Sequence, residues 1–369
     1  MKVLHLLASG SPGGIESLCK NIILNADFDN RLMFIFCGGS IYEELKEKNS
    51  NVILLKKKKY QLLRIIKEIT DYCKKEKIDI INIHHGGVYC NLIYILLKKY
   101  NPNIKFVRFL HGCYDKYTYG NNGKKLNDWI VYRFMKKALE ISDIIISVSN
   151  AVEKSFEKSF DLSNKNTVVI YNGIADNFFQ KEIKHINNNE ITNIIYVGRL
   201  AKVKGIDNLI KAVNKLISEN YKLQLTIVGD GKERFNLEKL AIDLNINDYT
   251  KFVGAQSNVI DWLDKADIFV YPSIWEEAFG ISVVEAMTRG CIPLVANKGG
   301  LPEVVEYNKM FLFDNQEELI EKMKEIILTK DNIDLEKIIK NAKRFRLQNT
   351  IDKLKKEYEF LCTGEKNEN

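Results

Sequence analysis

Residues 266–285 read Ala266-Asp267-Ile268-Phe269-Val270-Tyr271-Pro272-Ser273-Ile274-Trp275-Glu276-Glu277-Ala278-Phe279-Gly280-Ile281-Ser282-Val283-Val284-Glu285, and the fold class follows from the change of period within them. Up to Tyr271 the chain is a buried-strand run stopped by Pro272, while Ile281 to Arg289 has helical spacing and runs into Gly290. The stretch is therefore a strand-to-helix crossing. In an open α/β sheet such a crossing lies at the carboxyl edge of the strands. Ligands bind there, and free N–H groups at a helix start suit phosphate or sugar oxygens. Glu277 is expected to project towards the ligand and Glu285 to follow one or two turns into the helix. A carboxylate accepts two hydrogen bonds from a vicinal diol, so one suits a sugar and the other a ribose.

The same alternation fills the rest of the chain. Apolar runs at 2–8, 31–37, 51–55, 78–83, 104–110 and 142–148 are separated by amphipathic stretches such as 59–76 and 124–140, and runs at 192–198, 222–228, 249–253, 267–271 and 292–296 repeat the pattern. Each half is a candidate doubly wound sheet, and 369 residues exceed the usual single core. Residues 181–192, with Asn187-Asn188-Asn189 and little apolar material, read as the linker. The expected organisation is two Rossmann-like domains, 1–180 and 181–344, with a cleft between them. The tail 345–369 carries a helical stripe of Leu347, Ile351, Leu354, Tyr358 and Leu361.

Composition narrows the class. A hydrophobic content of 46% and a charged content of 28% are those of a globular protein. The seven cysteines include no C-x-x-C pair, which argues against a disulfide framework or a zinc site and for a reducing, cytoplasmic setting. Met1 to Ala8 reads as a first buried strand rather than a secretion signal, and no run approaches the ~18 apolar residues of a membrane span. The net charge of +7 comes with no nucleic-acid motif. Lys56–Lys59 followed by Tyr60, Leu62, Leu63, Ile65 and Ile66, and Lys124–Lys137 with Trp129, Tyr132 and Phe134, are basic amphipathic stretches suited to an anionic membrane surface. The competing reading is that their apolar positions simply cover the sheet.

Further motifs occur in a fixed order: Gly13-Gly14-Ile15-Glu16, His111-Gly112, Asn172-Gly173, Gly198-Arg199-Leu200 with Lys204-Gly205, Gly229-Asp230-Gly231, and Glu277-x7-Glu285 enclosing Phe279-Gly280. Singly each is weak, but the ordered set resembles the retaining glycosyltransferases of the GT-B fold in family four (group 1 type), which include bacterial polysaccharide-biosynthesis enzymes. That resemblance implies two Rossmann-like domains and a last helix crossing back onto the first. It also implies a nucleotide-diphosphate sugar donor, with no metal or other cofactor, and a saccharide or lipid-linked saccharide acceptor, as in capsule, exopolysaccharide or lipopolysaccharide synthesis. Arg199 and Lys204 are expected on the diphosphate, supplying the positive charge a departing diphosphate needs. Glu277 and the backbone of Phe279, Gly280 and Ile281 fall on the sugar, Glu285 on the ribose, and Val253 beside the base. Gly13 and Gly14 form a loop approaching the diphosphate or the acceptor, and His111 lies near the transferred sugar. In the resembled mechanism the acceptor attacks from the face that the diphosphate leaves, and the diphosphate helps take its proton.

Plainer readings compete at several positions. Gly13-Gly14 lacks the G-x-G-x-x-G spacing of a dinucleotide site. Arg199 and Lys204 also fit a solvated face, and a lone histidine is usually structural. His84-His85 has no third ligand at metal spacing and reads as structural or acceptor-facing. Asp27-Phe28-Asp29 satisfies the D-x-D pattern of metal-dependent transferases but precedes a strand, so it reads as a surface turn. Ala175 stands where the family often has Asp. Glu276 adjoins Glu277, and the spacing to Glu285 selects Glu277. A same-fold epimerase or phosphorylase, or a catalytically silent scaffold of a polysaccharide assembly complex, are the other functional classes. The joint presence of Arg199, Lys204, Glu277 and Glu285 argues against the scaffold.

Overall fold

The computed structural model describes residues 1–48, 50–114, 125–179 and 191–364, without the side chains of 125–127. It divides into two compact units, Met1–Gly173 with Leu347–Asn369, and Ile174–Arg346. The division falls at Gly173 rather than residue 180 because the next residue already belongs to the second unit. Ile174 bridges Arg346, and its N–H donates to the Phe345 carbonyl at 2.8 Å. Most of the expected linker, residues 181–190, lies outside the described residues.

The first unit is built on β1 (Lys2–Ser9), β2 (Asp29–Cys37), β3 (Val52–Leu54), β4 (Ile80–Ile83), β5 (Lys105–Leu110), β6 (Ile144–Ser147) and β7 (Thr167–Val169), in the order β3-β2-β1-β4-β5-β6-β7. The second contains β8 (Thr192–Val197), β9 (Leu223–Val228), β10 (Thr250–Gly254), β11 (Ile268–Tyr271), β12 (Ile292–Ala296) and β13 (Leu312–Phe313), in the order β10-β9-β8-β11-β12-β13. Every pairing is parallel. Helices cover both faces, so β4, β6, β11 and β12 are buried along their whole length. This is why they read as continuous apolar runs rather than alternating ones.

The strand order reverses between β1 and β4 in one sheet and between β8 and β11 in the other. At such a reversal the loops leaving adjacent strands turn to opposite faces and open a crevice at the carboxyl edge. The first unit places the Gly10–Gly13 loop and His84-His85 there, and the second places Gly198-Arg199 and the Pro272–Gly280 loop. The last helix, Leu347–Thr363, packs on the first sheet. Its Tyr358 is fully buried and bonds Asn82 of β4 at 2.6 Å, and Lys355 pairs with Asp27 at 2.6 Å. Asp27 is thus spent on a surface ion pair, as its place before a strand indicates.

Candidate active site

In the second unit, two glycines press neighbouring loops onto the loop after β11, Gly205 from the segment after β8 and Gly299 from the loop after β12. Gly205 has φ +62°, and a Cβ there would stand 2.2 Å from the Pro272 carbonyl oxygen. Gly299 has φ +57°, and its Cβ would stand 2.1 Å from the Glu277 carbonyl oxygen. Only a residue without a side chain permits both the left-handed backbone and the approach. The Gly300 N–H donates to the Glu277 carbonyl at 2.7 Å, and the Gly299 N–H donates to Glu276 Oε2 at 2.6 Å. The two adjacent glutamates therefore differ in role: Glu276 holds the loop from outside, and Glu277 turns inward.

Glu277 Oε1 accepts from Lys204 Nζ at 2.6 Å and from Ser273 Oγ at 2.6 Å. Lys204 Nζ also donates to the Tyr271 hydroxyl at 2.9 Å. Lys204 ends a single 3-10 turn, Lys202–Lys204, just before the helix Ile206–Ser218, so its stem is short of the helix and its ammonium reaches the β11 loop. Both charged side chains are largely buried, with 14% and 13% exposure. Breaking a pair this dry by removing one partner leaves an uncompensated charge, at a cost of about 3–5 kcal/mol. Burial, with Glu277 alongside, pushes the Tyr271 phenol well above its ordinary range, so it remains a neutral hydroxyl.

Arg199 follows β8 and is exposed, and its carbonyl accepts from the Tyr196 hydroxyl at 3.2 Å. No hydrogen bond or ion pair of its guanidinium is seen among the described residues. The helix Ile281–Thr288 begins at Gly280 without a side-chain cap, which leaves its first N–H groups without a side-chain acceptor. Phe279 has only its backbone to offer a ligand, because its ring is buried edge-on against Phe345 at 5.1 Å. Glu285 lies one turn into the helix, and burial raises its carboxyl to about 7. Val253 stands at the carboxyl end of β10, two strands from β8, with its carbonyl accepting from Gln256 Nε2 at 2.7 Å. The structure thus joins Lys204 and Glu277 directly and places Arg199, Val253, Gly280, Ile281 and Glu285 along the same carboxyl edge. Ser273 and Tyr271, which complete the Glu277 cluster, carry no sequence signal of their own.

In the first unit, Gly13 caps the helix Gly14–Asn25 in extended conformation, and Glu16 of that helix meets His85 Nε2 at 3.2 Å. His85 Nδ1 in turn accepts from the Ala8 N–H at 3.3 Å. His111 is linked to His84 rather than isolated: His84 Nδ1 and His111 Nε2 are 2.9 Å apart.

The profile of the family "Glycosyl transferases group 1" matches residues 177–345, and that of "Glycosyltransferase Family 4" matches residues 28–178. An uncharacterized glycosyltransferase of Methanocaldococcus jannaschii, MJ1069, is 30% identical over 304 residues, 78% of this chain and 69% of that protein. The chain belongs to the group 1 glycosyltransferases. Other relatives of this glycosyltransferase include the capsular polysaccharide biosynthesis protein CapH of Staphylococcus aureus, 27% identical over 85% of this chain and 86% of CapH. The N-acetyl-alpha-D-glucosaminyl L-malate synthase of Bacillus anthracis is 27% identical over 66% of this chain and 63% of that enzyme. Among solved structures, Anabaena HepE in complex with UDP and glucose superposes with a TM-score of 0.79 at 20% identity, covering 98% of this chain and 100% of HepE. At that identity the likeness shows the GT-B fold.

Proposed function

We propose that this glycosyltransferase moves a sugar, with retention of anomeric configuration, from a nucleotide-diphosphate sugar to a saccharide or lipid-linked saccharide acceptor, in cell-surface polysaccharide synthesis. The observation that carries the reading is the Lys204–Glu277 contact at the switch point of the second sheet, with Arg199 at the end of the neighbouring strand. A diphosphate arriving there meets Arg199 and competes with Glu277 for Lys204. The freed Glu277 oxygen accepts from a sugar hydroxyl, while the uncapped start of the Ile281–Thr288 helix donates to sugar or phosphate oxygens. Glu285 takes the ribose diol and Val253 lies against the base. Neither carboxylate serves as a nucleophile. The acceptor oxygen attacks from the face the diphosphate leaves, and the diphosphate takes its proton. HepE's complex with UDP and glucose and CapH's part in capsule synthesis support this choice of donor and pathway.

In this reading Arg199 and Lys204 supply the positive charge that a metal supplies elsewhere. Transfer from a UDP-sugar is expected to proceed at an essentially unchanged rate in excess EDTA. Loss of activity that returns with manganese or magnesium would overturn the assignment of these two cations.

The acceptor side includes an anionic membrane surface. Lys56–Lys59 lead into the helix Leu62–Glu76, whose Ile65, Ile66 and Ile69 face the core, yet Tyr60 and Leu63 are 79% and 76% exposed. Covering the sheet therefore does not account for them. Among the described residues no helix is long and apolar enough to cross a membrane. Each lysine near an anionic surface contributes about 1 kcal/mol. The protein is expected to co-sediment with anionic but not neutral vesicles at low salt. Replacing Lys56–Lys59 by glutamate should reduce this without changing UDP affinity; equal binding to both vesicle types would contradict the membrane reading.

A further inference from the structure

His111 ends a row of three imidazoles that crosses the first sheet. His5 Nδ1 lies 2.9 Å from His84 Nε2, and His84 Nδ1 lies 2.9 Å from His111 Nε2. The row follows from register: β1 pairs β4 with His5 opposite Asn82, which brings His84 past the end of β4 beside it. The rings stack at 5.2 Å for each pair, and Phe109 packs on His84 at 4.9 Å and on His111 at 5.0 Å. Cys19 is also close enough to His5 and His84 for a shared metal. Both nitrogens of His84 are already engaged by its neighbours, so the contacts describe a relay rather than a ligand set.

Burial holds all three rings neutral, with His5 and His111 lowered to about 3 and His84 well below its ordinary value. A neutral imidazole has one N–H and one lone pair. Each nitrogen–nitrogen contact needs one of each, so the row has only two proton registers. In the first, His5 donates to His84 and His84 donates to His111, each from Nδ1, and His111 carries its own proton on Nδ1. In the second, every proton sits on Nε2. The two differ at the closed end of the row, where His5 Nε2 is buried with no partner among the described residues. The second register places an N–H there without an acceptor, and orphaned buried donors are the rarer and costlier kind. Asn82 Nδ2 faces His5 Nδ1 and favours the second register, but at 3.5 Å it contributes little.

We propose that His84, backed by His5, is a positioning residue that fixes His111 in the Nδ1–H tautomer, so that His111 presents a neutral hydrogen-bond donor to the transferring sugar. The functional half rests on the reading of His111 as a sugar-side residue. The tautomer half stands on the row alone. His84 and His5 touch no substrate and act through His111, as a second residue commonly sets which nitrogen of a functional histidine carries the proton.

The test is nitrogen-15 NMR of the full chain, which separates protonated from bare ring nitrogens. In wild type, His5, His84 and His111 are all expected to be protonated on Nδ1. His84→Ala, which makes room for water beside His111 Nε2, should release His111 to Nε2–H. His84→Asn, which keeps an amide donor near the position of Nδ1, should hold it at Nδ1–H. Sugar transfer should fall about tenfold in His84→Ala and recover in His84→Asn, with UDP affinity unchanged in both. Nε2 protonation of His111 in wild type, or Nδ1–H persisting in His84→Ala, would overturn the proposal. Full transfer activity in His111→Ala, with the tautomer pattern intact, would instead overturn the reading of His111 itself.

Discussion

Glu277→Gln should lower the rate of sugar transfer by about two to three orders of magnitude, the scale on which a preorganised charge at the reacting group acts, while UDP affinity is kept or raised, because the diphosphate no longer competes with a carboxylate for Lys204. The glutamine amide retains an acceptor for Ser273 Oγ and nearly the same volume, so the loop stays packed. What disappears is the negative charge that holds Lys204 at 2.6 Å and that, in the proposed function, receives the sugar hydroxyl. Glu285→Ala is the contrasting variant. Its carboxylate faces the ribose in this account, so it should cost about 1.5–3 kcal/mol of UDP binding, roughly a ten- to hundredfold rise in Kd. Kinetics and calorimetry on the two variants separate the roles. Loss of UDP affinity in Glu277→Gln, or unaltered affinity in Glu285→Ala, would reverse the assignment of the two carboxylates.

Gly299→Ala is expected to damage the site without touching any charged group. The new Cβ would meet the Glu277 carbonyl oxygen at 2.1 Å and the Glu277 nitrogen at 2.6 Å, on a backbone at φ +57°. The left-handed conformation costs a non-glycine residue about 1 kcal/mol, and the overlap with backbone that cannot rotate away adds about 1–3 kcal/mol. The Glu277 segment must therefore shift, and with it the Lys204 contact. A lowered Tm and a large fall in turnover are expected together. Gly364→Ala is the control: φ is +76° there, but nothing lies within 4 Å of the added carbon, so only the conformational cost remains. Equal effects of the two substitutions would show that the Gly299–Glu277 approach does not position the site.

The strand-to-helix crossing at 266–285 was readable because its period changes sharply and Pro272 marks the change. The buried strands were readable for the same reason, and their observed limits differ from the apolar runs by one or two residues. β7 and β13 escaped, and β13, at two residues, is too short to show a period. The sequence offered candidate site residues but none of the contacts between them. Lys204 and Glu277 are 73 residues apart and meet because β8 pairs with β11 rather than with β10. Order along the chain does not reveal which strands lie side by side. Their hydrogen bond also changes the picture of Lys204, which sequence reasoning aimed at an anion together with Arg199 but which the structure holds against Glu277. His5 was invisible in another way: within the run Lys2–Ser9 it reads as an interruption of an apolar strand, and only the register with Asn82 shows why a polar ring is tolerated there.

The central claim is that the carboxyl edge of the second sheet holds a nucleoside diphosphate, and thermal unfolding of the full chain with and without UDP tests it most directly. A ligand bound only by the native state at 100 times its Kd adds about 2.7 kcal/mol, which is a shift of several degrees. The account predicts that Tm rises with UDP concentration in the presence of EDTA, and rises less in Glu285→Ala. An unchanged Tm with UDP, GDP and ADP alike would contradict it.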